Sequence, residues 1–150
     1  MENQCKKIAD TSVFISYHNR MRGLKMSVSI YYTATRKQKL TKEEQEAINQ
    51  FIIDYSVDEE IEKYVNTGEG YNWTSFYVYD NEDPTEADVI FEGATQLPDN
   101  SEDAMWEGIQ HWSALLSQIR SVVPGAKWHV HVDDHELVWD EEHLEYDLSK

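Results

Sequence analysis

Cysteine is all but missing from this chain. Cys5 stands alone, so no intrachain disulfide can form, and a thiolate metal site would have to borrow ligands of other types. The first residues contain two lysines but no apolar leader core. No stretch of the sequence holds an apolar run near the length a bilayer crossing needs. A cytoplasmic, reducing location is the expectation. The sequon Asn72-Trp73-Thr74 is then accidental. Basic residues are also scarce, 13 Lys and Arg against 29 Asp and Glu, for a formal charge of -16. That field repels nucleic-acid phosphates and anionic membranes and favours cations or a basic protein partner. Neither G-x-x-x-x-G-K-[ST] nor G-x-G-x-x-G occurs, and there is no G-x-S-x-G elbow. Phosphate-loop and serine-nucleophile chemistry are not expected. Internal repeats, heptads and low-complexity tracts are absent too.

What is present suits one packed domain. A length of 150 residues can bury a sizeable core, and aromatics at 12% argue against wholesale disorder. Charge divides the chain: residues 1–25 carry five Lys and Arg against Glu2 and Asp10, and the remainder carries 8 against 27. Residues 1–25 are therefore expected to be a loosely ordered extension and 26–150 a single α+β domain. The alternative is that "TSVFISYH" forms an edge strand.

From Ser27 to Thr35 apolar and polar residues alternate, the period of a half-buried strand. Thr41 and Glu44 have capping-box spacing, and Ile48, Phe51, Ile52 and Tyr55 form the stripe of a helix that "SVDEEIEKYV" resumes after a break. The runs "WTSFYVYD" and "DVIFEGA" read as a hairpin around an acidic loop. Met105, Ile109, Trp112, Leu116, Ile119 and Val123 repeat at helical steps, and Pro124-Gly125 leads into the strand "KWHVHVD". The order strand, helix, strand, strand, helix, strand predicts a ferredoxin-like βαββαβ two-layer sandwich, with an extra C-terminal β-hairpin or extension.

The densest chemistry lies in "WHVHVDDHELVW". Alternation puts Trp128, Val130 and Val132 on one face and His129, His131 and Asp133 on the other. Two histidines two apart on a strand can converge on one zinc ion, with Asp133 or His135 as a further ligand. "HVHVDDH" resembles the His-x-His-x-Asp-His signature of metallo-β-lactamase-like hydrolases over seven residues, but Asp134 intervenes before His135. No catalytic roles are carried over. A metal-dependent hydrolase using His129, His131, Asp133 and His135, with Zn as its cofactor, is the alternative reading. In the main one, no cofactor is expected and the histidines line a polar or partner-facing side.

If Phe76 and Val78 face the helices, Trp73, Tyr77 and Tyr79 face away and join Tyr31, His129 and His131 on an open sheet surface. Tyr, Trp and His with an acidic rim have the makeup of an interface. Leu137, Trp139, Leu144 and Tyr146 either cover that surface or leave it free. The expected function is an acidic binding module, not an enzyme, that masks a basic protein in the manner of immunity or inhibitor proteins. It takes no nucleic acid or membrane; a homodimer through the open face is a further expectation.

Overall fold

A computed structural model describes residues 27–80 and 88–150. The expected extension at 1–25 lies outside them. The fold is mixed α+β, with a four-stranded antiparallel sheet and helices. Strand β1 is Ser29–Thr35, followed by helices α1 (Lys42–Asp54) and α2 (Asp58–Thr67) and strand β2 (Val89–Gln96). Helix α3 (Ala104–Ser121) leads to β3 (Lys127–Val132), β4 (His135–Glu136), β5 (Val138–Asp140) and β6 (Glu145–Asp147). The main sheet runs β2-β1-β3-β4, and β5 with β6 forms a separate hairpin.

The apolar positions of β1 go inward as their spacing requires: Ile30, Tyr32 and Ala34 are fully buried. They meet Trp112, Leu115, Leu116 and Ile119 from α3 and Ile48 from α1. Val130 shares this core, with Trp128 and Val132 packed at its margin, so the alternation read for β3 holds. The capping box also forms, Thr41 Oγ1 accepting from Glu44 N at 3.0 Å and Glu44 Oε1 from Thr41 N at 2.9 Å. Glu44 then takes both ends of the Arg36 guanidinium, at 2.7 and 3.1 Å. Arg36 in turn donates to the carbonyls of Gln38, Lys39 and Pro124, joining the end of β1 to the loop after α3.

One expected strand is replaced by something else. The run 73–80 lies beside β2, but its only ladder contact among the described residues is the bridge Val78 to Gly93, with Tyr79 N donating to Glu92 O at 2.8 Å. Side chains fasten the rest. Asn72 Oδ1 accepts from Asp99 N at 2.8 Å, Thr74 Oγ1 donates to Gln96 O at 2.7 Å, and Tyr77 N donates to Thr95 Oγ1 at 3.1 Å. Tyr32 supplies the innermost tie, donating from its hydroxyl to Tyr77 O at 2.5 Å beside Thr95 Oγ1 at 2.7 Å. Backbone groups committed to side chains cannot join a regular ladder. Gly93 permits this approach, because a Cβ there would collide with the Tyr77 carbonyl and lie 2.5 Å from the Tyr32 ring.

The C-terminal hairpin packs against α3. Tyr146 is buried, its N–H donating to Ser117 Oγ of α3 at 3.3 Å. Arg120 lies 4.2 Å over the Trp139 ring and donates to the Tyr146 hydroxyl at 3.3 Å. Among the described residues no helix is long and apolar enough to cross a membrane.

Candidate functional site

Antiparallel neighbours directly opposite share a face, so the register builds the far side of the sheet row by row. One row reads Ala94, Tyr31, His131, Glu136 from β2 to β4; the next reads Glu92, Thr33, His129. The rings of this face touch. Tyr31 stacks on His131 with centroids 5.1 Å apart and 12° between planes, and His131 lies 5.0 Å from His129. His129 Nε2 is 3.4 Å from Glu136 Oε2, both side chains being more than half exposed. On the β2 side Tyr77 and Tyr79 pack together at 5.5 Å. Partial burial, with Glu92 and Tyr31 nearby, raises the Tyr79 phenol above its ordinary value, so it stays neutral and able to donate.

Of the six residues expected on this surface, Tyr31, Tyr77, Tyr79, His129 and His131 come together. Trp73 does not. It lies against the helix layer, 6.0 Å from Trp112 and 5.2 Å from His111. The alternation expected of 73–80 stops short of Trp73 because Asn72 and Thr74 turn the chain onto the loop before α3 and the end of β2. The hairpin leaves the row of rings uncovered among the described residues. Leu137 and Tyr146 join the core, Trp139 lies under Arg120, and Leu144 stays exposed. Beside Tyr79 a cleft of about 380 Å³ opens between Leu40, Val78, Ile90 and Phe91.

The four candidate ligands part company at the β3–β4 turn. His135 pairs with Val132, on the face opposite His129 and His131, and Asp133 forms the turn at φ 51°. Its carbonyl lies 2.9 Å from His131 Nδ1. Glu136 arrives opposite His131 instead. Sequence reasoning overlooked Glu136 and Glu92; continuing the strand through Asp133, rather than turning at the two aspartates, hid the first. Among the described residues, Asp140, Glu142 and His143 hold ligand atoms within 4.8 Å of one another. There Asp140 Oδ1 accepts from the Glu142 and His143 N–H groups, and Oδ2 lies 2.7 Å from His143 Nδ1, as a turn-closing cap does.

No family model matches this chain, and no curated protein or solved structure matches it either.

Proposed function

We propose that this protein is an acidic binding module whose open sheet face takes a cationic segment of a basic protein, as an immunity or inhibitor protein would. The observation that carries the reading is the row of Tyr79, Tyr31, His131 and His129, which no element among the described residues covers, with Glu136 beside the histidines. Aromatic faces attract guanidinium and ammonium groups, carboxylates pair with them, and a charge of -16 steers them inward. The same field disfavours nucleic acid, despite stacked rings on a sheet.

The ferredoxin-like arrangement belongs to this proposal. With 73–80 counted beside β2, the order becomes 73–80, β2, β1, β3, which is that of two interleaved βαβ units whose second strand has shrunk to one bridge.

The test uses a deca-arginine peptide as probe, followed by calorimetry and amide chemical-shift mapping at physiological salt. Shifts should concentrate at Tyr31, Thr33, Glu92, His129 and His131. Each half-buried ring contributes about 0.5–1 kcal/mol through cation–π contact, so Tyr31→Ser with Tyr79→Ser should weaken binding by roughly 5–30-fold. Equal binding by wild type and variant, or shifts confined to α1 and α2, would refute the site. A poly-thymidine oligonucleotide should not bind.

A further inference from the structure

We infer that His129, His131 and Glu136 form a binding site for a divalent transition-metal ion of the zinc, nickel and copper class. The inference stands on ligand geometry and does not depend on the docking reading. It moves the site from a sequence run to a cross-strand cluster. Asp133 and His135 leave, and Glu136 enters because it is the direct β4 partner of His131.

Three features of the cluster suit a metal. First, the two imidazoles have the right separation. An ion held tetrahedrally by two ring nitrogens at about 2.0–2.1 Å places the ring centres roughly 5 Å apart, and those of His129 and His131 are 5.0 Å apart. Second, His131 is in the right tautomer. A carbonyl only accepts, so the 2.9 Å contact between Nδ1 and the Asp133 carbonyl requires the proton on Nδ1 and leaves the Nε2 lone pair free. A backbone carbonyl behind a ligating histidine commonly fixes ring and tautomer in this way, and the Tyr31 ring stacked on His131 restricts its tilt further. Third, the carboxylate is already beside the second imidazole, with Glu136 Oε2 3.4 Å from His129 Nε2.

The donor atoms of this trio are more widely spread than those of the Asp140 turn. Loading therefore turns the His129 and Glu136 side chains, which are 57% and 61% exposed, while the backbone register stays as it is. The Asp140 turn makes a poorer site, since both oxygens of Asp140 are spent on closing the loop. Two imidazoles and one carboxylate form a nitrogen-rich set that favours copper, nickel and zinc over magnesium and calcium.

The experiment is a Zn²⁺ titration of the full chain without a histidine tag, by calorimetry and by the ring-proton resonances of the histidines. One ion per chain should bind, shifting the His129 and His131 rings. Ni²⁺ and Cu²⁺ should compete, and millimolar Mg²⁺ should not. His129→Gln or His131→Gln should each lower affinity by at least about tenfold, as losses in the ligand shells of metal sites do. Glu136→Gln should lower it several-fold, whereas His135→Gln and His143→Gln should leave it unchanged. All five positions are at the surface, so an unchanged circular dichroism spectrum verifies the fold. Absence of Zn²⁺ binding by the wild type overturns the inference. So does binding that survives His129→Gln with His131→Gln, or binding that is lost with His143→Gln.

Discussion

Replacing Tyr32 by Phe removes one oxygen from the centre of the molecule. The hydroxyl has a single proton, which goes to the Tyr77 carbonyl, so Thr95 must donate its own proton to the Tyr32 oxygen while accepting the Tyr77 N–H. These bonds close a ring joining β1, β2 and the segment 73–80. In Tyr32→Phe the Tyr77 carbonyl and the Thr95 hydroxyl both lose a partner. Thr95 is 2% exposed and Tyr77 only half-buried, so water partly replaces the partner lost by the Tyr77 carbonyl but not the one lost by the Thr95 hydroxyl. An unsatisfied buried group costs about 1–3 kcal/mol; with the partly repaired carbonyl added, the expected loss is about 2–3 kcal/mol. For a domain of this size that lowers Tm by roughly 4–12 °C. Urea unfolding measures the loss, and hydrogen exchange locates it: the Tyr77 and Tyr79 amides should exchange faster while the β1–β3 ladder keeps its protection. A loss below about 0.5 kcal/mol, or an unchanged Tyr77 amide, would refute the view that this ring of bonds holds the segment to the sheet.

Gly93→Ala drives a methyl group into the Tyr77 carbonyl and the Tyr32 ring, and should cost at least about 1–3 kcal/mol by overpacking, read from the urea midpoint. The Arg36 hydrogen bonds hold the Glu44 carboxyl at about 2 against an ordinary 4.5. Its contribution to stability is therefore present above pH 4.5 and lost as pH falls toward 2; in Glu44→Gln that part of the acid transition should disappear from a pH series of thermal melts. At the β5–β6 turn the hydrogen bond between Asp140 and His143 lowers the carboxyl from 3.8 and raises the imidazole from 6.5. The raised imidazole stabilises below 6.5 and ceases to as pH climbs through its folded value, and the lowered carboxyl stabilises above 3.8 and ceases to on acidification. Amide protection in the hairpin should thus peak between those limits and flatten in His143→Gln.

Much of the fold was legible because local signals and burial agreed. The Thr41 and Glu44 pair forms its box, α3 buries the stripe read from Trp112, Leu116 and Ile119, and Ile30 and Tyr32 face inward on β1. The strand expected at 73–80 was misread for a reason that no periodicity carries. Its β-branched and aromatic residues suit a strand, yet the partners of its backbone are a tyrosine and a threonine 45 and 18 positions away. Trp73 was misplaced for the same reason. The ring surface followed from alternation alone, so five of its members were nameable beforehand. Glu136 depended on where β3 turns, and a turn of two aspartates, with Asp133 in the left-handed region, lacks the glycine that usually marks one.

The side-chain fastening of residues 72–79 bears on how copies of this chain can associate. A sheet normally grows from its borders, where free backbone groups template another strand. The β2 border is occupied by a segment that pairs with it through a single bridge, with the Tyr77 N–H and carbonyl given to Thr95 and Tyr32, and β4 covers only part of the other. What is left bare of β4 pairing on β3 is the short stretch Lys127–His129, headed by an exposed lysine that resists strand addition. Among the described residues, then, strand addition by another copy meets an irregular segment at one border and an exposed lysine at the other, and neither is the long, flat edge from which a fibre-like ladder grows.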